Sequence, residues 1–378
     1  MKIAISAFAS DNGKSGIGRY MISLLEEIVR LDRDHRYTLF RTESDKPLFQ
    51  RLGDRVNHRV VSDFWGKPIQ NIFWNQAFFP SRLKKIEADA ALILAGNRRL
   101  PVTSQTPTVA VVHDLSPFHV AQKYDPLRQF YVKKVLPWMI GRMNRVITVS
   151  QSTAHDVIKY AQFPEDRIHV VHNGIDHNHF YPKGREESQK RLSERFRIHD
   201  PFILYVGRLE HPGKNHIRLI RAFMDLKRRL SIPHKLVLVG SKWNGSEAIF
   251  DFVDQNDCQT DVLFTDFVSY EDLPYFYSGC DVMPLPSLYE GFGIPAIEAM
   301  ACGAAVCGSN LSSIPEVIGD AGPLFDPINV DEISDAIQRL LTDESLRRTC
   351  IQKGFEQAKK FSWTASARQT LDVIEKIK

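Results

Sequence analysis

Glu290 and Glu298 stand eight positions apart in the run Glu290-Gly-Phe-Gly-Ile-Pro-Ala-Ile-Glu298, around a Gly-x-Gly turn that opens a helix. Carboxylates accept hydrogen bonds from hydroxyls, and the free amides of a helix N-terminus donate to phosphate. Ile294 to Glu298 is about one helical turn at ~3.6 residues per turn, which returns Glu298 to the edge that carries Glu290. The apolar run Asp281-Val-Met-Pro-Leu before it reads as a strand end, and Cys302-Gly303 after it as a helix stop. Such a turn suits a ligand with both hydroxyls and a diphosphate. Two solvated glutamates fit the same residues, since carboxylates near a helix N-terminus are stabilised in any case.

Other residues with chemistry follow predicted strands. Asp11-Asn-Gly-Lys-Ser-Gly-Ile-Gly-Arg19 follows the first one and leads into an amphipathic helix, an anion site in outline. It is neither a dinucleotide fingerprint, because Met21 stands where the third glycine belongs, nor a P-loop, because no Gly-Lys-Ser/Thr closes it. An unliganded flexible loop is the competing reading. His113-Asp114 ends a strand, where a histidine can donate a hydrogen bond or move a proton, or simply be satisfied by backbone. Arg208 and Lys214 follow the strand Phe202–Gly207 and flank the start of a helix at Asn215; a fork and a point charge there make a diphosphate clamp, or a solvated basic loop. The histidines of His172-Asn-Gly-Ile-Asp-His-Asn-His179 lack the i, i+4 helical pair of a zinc site, and an interdomain contact is preferred. Ser150-Gln-Ser-Thr-Ala-His-Asp156 reads as a hydroxyl-capped helix start. No Gly-x-Ser-x-Gly elbow supports hydrolase chemistry.

The elements that must position these groups alternate. Apolar runs at Lys2–Ala7, Tyr37–Phe40, Ala91–Ala95, Thr108–His113, Arg145–Ser150 and Ile168–His172 are separated by helical patterns at Gly18–Leu31, Gln70–Ile86, Pro126–Met143 and Thr153–Tyr160. The second half repeats the scheme with strands near Phe202–Gly207, Lys235–Gly240, Val262–Phe267, Asp281–Leu285 and Ala304–Gly308. Two strand–helix series predict an α/β chain of two doubly wound domains with parallel sheets. The boundary is placed between residues 180 and 181, with the segment 362–378 as a capped amphipathic helix. Ligands of such folds bind outside the carboxyl ends of the strands, where these residues lie.

Composition excludes several classes. The chain has 378 residues, enough for two full cores, and 43% hydrophobic with 25% charged residues describes a globular protein. A net charge of +4 is too small to imply nucleic acid. The five cysteines form no Cys-x-x-Cys pair and read as small buried hydrophobes in a reducing compartment. Neither a signal peptide nor a membrane-spanning run is read from the sequence, so a cytoplasmic protein is expected. The segment Asp63–Pro80, rich in Trp and Phe and followed by Arg82, Lys84 and Lys85, reads as core packing, or as a surface for a saccharide or for a membrane bearing a lipid-linked acceptor.

Together these residues resemble the retaining GT-B glycosyltransferases of family 4 along nearly the whole chain. The Glu290–Glu298 pair matches the family's Glu-x7-Glu motif; around it stand the glycine loop, Val149-Ser150, Val171–Asp176, Val206-Gly-Arg208 with Lys214, and Ser362-Trp363. The resemblance implies two Rossmann-like domains facing a central cleft: residues 1–180 for the acceptor, 181–361 for the nucleotide sugar, and a helix at 362–378 crossing back to the first. It implies that Glu298 accepts from the ribose and Glu290 from the donor hexose. The amides of Phe292 and Gly293 would support sugar and phosphate; Arg208 and Lys214, helped by the Gly16 amide, would hold the diphosphate. His113 would face the sugar near its 6-hydroxyl, and Val268 the base. Family members often carry glycine where Asp266 stands. The expected reaction moves a hexosyl unit from a UDP- or GDP-sugar to a saccharide or lipid-linked acceptor, with retention and with no metal or other cofactor. A 2-epimerase, a phosphorylase or a non-catalytic nucleotide-sugar-binding subunit are the rival readings. Contact with the inner membrane surface is open, and no nucleic-acid partner is expected.

Overall fold

The computed structural model describes all residues except 9, 11, 12, 14, 97–99, 121–125 and 378. The chain forms two compact units. One comprises Met1–Phe118, Tyr124–Gly174 and Ser362–Lys378, the other His119–Lys123 and Ile175–Phe361.

The first unit is built on seven parallel strands: β1 (Lys2–Ser6), β2 (Arg36–Thr42), β3 (Val56–Val61), β4 (Ala90–Ile93), β5 (Thr108–Val112), β6 (Arg145–Thr148) and β7 (Ile168–Val170). They lie in the order β3-β2-β1-β4-β5-β6-β7, so the winding reverses between β1 and β4. Central strands such as Thr108–Val112 are buried throughout, as a sheet covered on both faces requires. The helix Gly16–Leu31 buries Tyr20, Leu24, Leu25 and Ile28, and the last helix, Trp363–Glu375, packs against it. The segment after Ser362 thus belongs to the first unit. Its expected side-chain cap is absent: Ser366 N–H bonds the Ser362 carbonyl, and the Ser362 hydroxyl caps nothing.

Three sequence expectations change here. The edge strand β3 went unseen because Val-Asn-His-Arg-Val-Val buries only Val56 and shows no alternation. The helical runs at 68–85 and 126–140 are not uniform, since each contains a π turn, Trp74–Phe78 and Tyr131–Val135. Pro80 and Pro137 follow those turns and have no N–H to give; the preceding amides reach back five residues, Phe79 to Trp74 and Leu136 to Tyr131. That wider turn also lets Trp74 and Phe79 face the core together, ring centroids 5.1 Å apart.

The second unit carries β8 (Phe202–Val206), β9 (Lys235–Val239), β10 (Val262–Phe264), β11 (Met283–Leu285), β12 (Val306–Ser309) and β13 (Leu324–Phe325). Two parallel trios, β10-β9-β8 and β11-β12-β13, are joined where Ile203 bridges Val282 and Leu204 N–H bonds the Val282 carbonyl at 2.9 Å. The winding again reverses between the unit's first and fourth strands. β13, two residues long, carries too little pattern to be read from sequence. β10 stops at Phe264, short of the expected Phe267, which is 60% exposed.

Candidate functional site

In the second unit the loops after β8 and β11 meet at the point of reversal, the place where doubly wound folds take their ligands. Asn215 ties them together: its side-chain amide donates to the carbonyls of Pro286 at 2.9 Å and Pro327 at 2.6 Å. Leu288 N–H bonds the Gly213 carbonyl. The two expected cation and carboxylate sites therefore become one. Lys214 Nζ donates to Glu290 Oε1 at 2.6 Å and Oε2 at 2.8 Å, and Ser287 Oγ adds a third bond to Oε1 at 2.7 Å.

Burial works against the Lys214 charge, but Glu290, Tyr205 and Glu210 around it outweigh that and hold its pKa above the usual lysine value. Lys214 thus stays an ammonium through the neutral range. An ammonium has three donors and a carboxylate about four acceptor sites, so each group keeps capacity beyond the pair. Charge and geometry are held ready in one place.

Three serines that sequence reasoning missed fix this loop. Ser313 Oγ donates to the Glu290 carbonyl at 3.0 Å and the Phe292 carbonyl at 2.7 Å. Ser312 Oγ accepts from Glu290 N–H at 3.0 Å, its own backbone left-handed at φ 55°. Ser287 stands three residues before the carboxylate it bonds. A Ser-Ser pair 22 positions downstream carries no sequence signal, because only folding brings it back to the loop.

Gly293 caps the helix Ile294–Ala301 at φ 103°, a conformation other residues resist, and no neighbour crowds it. The Phe292 ring before it is buried against Phe361. One turn on, Glu298 Oε2 accepts from the Tyr277 hydroxyl at 2.7 Å. Burial first, and Glu298 second, hold Tyr277 well above the usual phenol range, so it remains a donor at any physiological pH.

Arg208 stacks on Trp243, 4.3 Å from the ring centroid. Leu209 bridges Lys242 and so places Trp243 beside it. The stack fixes the plane of the guanidinium fork. His216, fully buried at the start of the next helix, is kept neutral: burial and then Lys214 lower its pKa to about 3. Val268 is buried, 5% exposed. Asp266 takes φ 55°, a left-handed position that glycine occupies freely and aspartate tolerates better than most residues.

In the first unit, Gly16 opens its helix, exposed, with Ser15 Oγ accepting from Gly18 N–H at 3.2 Å. Gly18 is the sterically required glycine, since a Cβ there would fall 2.0 Å from the Ser10 carbonyl oxygen. Asp11, Asn12 and Lys14 of the same loop lie outside the described residues. His113 is 8% exposed, with Nε2 2.7 Å from the Leu94 carbonyl oxygen just after β4. A carbonyl only accepts, so Nε2 carries a proton and donates it to that bond. Of the readings open for His113, satisfaction by neighbouring backbone is met at this nitrogen. The Tyr20 ring edge, 4.6 Å away, holds the imidazole in place.

The remaining candidates are structural or divided. His177 Nε2 meets the Phe361 carbonyl at 3.1 Å, and His179 stacks on Tyr270 at 3.9 Å, so neither faces the other as a metal ligand. Ser150 caps its helix through Thr153 N–H, as expected. All five cysteines are buried and free. In the aromatic segment, Trp74 and Phe79 are core while Phe64, Phe73 and Phe78 are exposed.

Comparison with known proteins agrees with this architecture. Residues 14–179 match the model of Glycosyltransferase Family 4, and residues 186–357 that of Glycosyl transferases group 1. The serotype-specific mannosyltransferase WbdA of Escherichia coli is 34% identical over 270 residues, 70% of this chain but 33% of WbdA. The chain thus spans about a third of that relative's length. O-antigen chain mannosyltransferase B of E. coli is 33% identical over 71% of this chain and 70% of its own. Among solved structures, Anabaena HepE in complex with UDP and glucose superposes with a TM-score of 0.77 at 19% identity, covering 100% of both chains.

Proposed function

This chain belongs to glycosyltransferase family 4, with a group 1 second half, and from that premise we propose that it moves a mannosyl unit from GDP-mannose to a saccharide acceptor. The observation that carries the reading is the Lys214–Glu290 pair at the reversal point of the second unit. Breaking a glycosyl–diphosphate bond develops negative charge on the leaving group and positive charge on the sugar. Lys214, with a donor to spare beyond Glu290, and the stacked Arg208 would take the diphosphate. Glu290 would accept from sugar hydroxyls, Glu298 from the ribose with Tyr277 fixing its other oxygen, and the amides of Phe292 and Gly293 would support sugar and phosphate. Val268 would lie against the base. The reading also assigns the Gly16 amide to the diphosphate and His113 to the donor sugar near its 6-hydroxyl. Charge stabilisation of this kind replaces a metal; losing one such donor typically costs about 3 kcal/mol of barrier. Transfer with retention follows if the leaving phosphate takes the acceptor proton on the same face.

Mannose is favoured because the E. coli relatives are named as mannosyltransferases. The reaction would run in the cytoplasm, where nucleotide sugars are supplied. A thermal-shift panel of UDP-, GDP- and ADP-sugars tests the donor. Saturation at about 100 times Kd should add ~2.7 kcal/mol of stability, the largest shift coming with GDP-mannose. No shift with any nucleotide sugar would sink the reading, and an inverted anomer in the product would remove retention.

A further inference from the structure

The first unit holds a groove lined by none of the residues assigned to the donor. Parallel pairing sets Lys2 opposite Arg36, Thr38 opposite Asn57 and Phe40 opposite Arg59. Side chains alternate along a strand, so Arg36, Thr38, Asn57 and Arg59 share one face of the sheet edge. Beside that face, Trp74, Phe78, Arg82 and Lys85 recur every three or four positions along the helical run and form a wall. Floor and wall enclose a cavity of about 1130 Å³.

Its charge is one-sided. Seven Lys and Arg side chains line it against a single carboxylate, Asp54. Lys2 is paired with Glu87, and Arg55 donates to the Val29 and Asp32 carbonyls. Among the described residues, Arg33, Arg36, Arg59, Arg82 and Lys85 form no ion pair. Five like charges without partners on one groove favour an anion there.

The groove also has an apolar rim. Trp65, in its lining, gathers Phe64, Phe73 and Phe78 at centroid distances of 5.1, 6.3 and 5.2 Å. Phe73 is 57% exposed and Ile69, a turn before it, 77%. Trp65 meets Phe64 and Phe78 edge to face and stacks on Phe73, so the rings are packed on one another rather than splayed for bases, and Ile69 offers no stacking face, which argues against nucleic acid. Cations beside exposed apolar side chains match a lipid surface, where headgroups are anionic and the acyl boundary lies a few ångströms below. Among the described residues no helix is long and apolar enough to cross a membrane, so a surface contact is the mode to test.

We propose that this groove and its rim seat the chain on an anionic lipid surface, with a lipid phosphate among Arg36, Arg59 and Arg82 and with Phe64, Ile69 and Phe73 in the acyl boundary. Co-sedimentation tests it, using vesicles of phosphatidylcholine alone and of phosphatidylcholine mixed with phosphatidylglycerol. The chain should partition to the mixture only. Binding should fall about 25-fold in the double variant Arg59→Gln/Arg82→Gln, at about fivefold per cation, and should fall too in Ile69→Ser/Phe73→Ser. Melting temperature verifies that each variant is folded. Binding to neither vesicle, or binding that both double variants leave unchanged, overturns the proposal. So does protection by inorganic pyrophosphate that vanishes in the arginine variant while vesicles are ignored, for that is a soluble-anion site. The assay needs no glycosyl transfer, so it stands or falls apart from the donor reading.

Discussion

Lys214 in the second unit and Arg59 in the first are both cations proposed to meet a negative ligand, and the fold keeps them on different terms. Lys214 is 23% exposed and locked onto Glu290 by two bonds, with serines holding the carboxylate's backbone. Arg59 is exposed on an edge strand with no carboxylate beside it among the described residues. The first arrangement costs desolvation but fixes the charge in one place, as a substrate atom would require. The second costs little and offers a diffuse field suited to a surface of many anions. Reaction chemistry needs the first kind, because preorganised charge lowers a barrier only if it is already in position.

Breaking the locked pair should have the largest effect. Glu290→Ala leaves the Lys214 ammonium half-buried and unpaired. We expect a stability loss of about 2 to 3 kcal/mol, somewhat under the value for a fully buried pair. The kcat for transfer should fall by on the order of a hundredfold. Chemical denaturation and donor kinetics read the two effects, and unchanged transfer kinetics would remove Glu290 from the site.

A second locked carboxylate sharpens the comparison without touching the reaction. Burial alone would raise the pKa of Asp281, but hydrogen bonds from His234 and Arg185 hold it at about 2, below the usual ~3.8. A depressed carboxylate contributes stability that is present above the unfolded value, near pH 4, and lost as pH falls through about 2. The contribution is about 2 kcal/mol, seen as a steeper fall of urea stability across that window than in Asp281→Asn. Equal slopes in the two proteins would mean that the cluster does not set this titration.

The smallest effect on stability belongs to the exposed groove. Arg59→Gln/Arg82→Gln removes repulsion and no ion pair, so unfolding free energy should stay within about 0.5 kcal/mol of wild type or rise slightly. A loss comparable to that of Glu290→Ala would show that these arginines are paired after all.

Much of this was legible in residues. Glu290, Gly293 and Glu298 carry their spacing in sequence, and Arg208 and Lys214 stand after a strand whose five residues, Phe202–Val206, are unmistakably apolar. The missed parts share a cause. Ser312, Ser313 and Tyr277 reach the site from other elements, so local pattern says nothing about them. β3 is an edge strand and shows no buried face to read. The π turns at Trp74–Phe78 and Tyr131–Val135 were foreshadowed by Pro80 and Pro137, which a helix accommodates by widening the turn before them.

By itself the sequence determined the alternation of strands and helices, hence two doubly wound sheets, and the identities of the groups at their carboxyl ends. Those are local or periodic properties, set by which residues bury and how often they recur. Only the tertiary structure decided that Lys214 and Glu290, 76 positions apart, would share a pair of hydrogen bonds. It also decided that the Nε2–H of His113 would donate to the Leu94 carbonyl, and that five cations from two strands, a loop and a helix would line one groove. Those are distances between chain segments remote in sequence, which exist only once the sheets are wound.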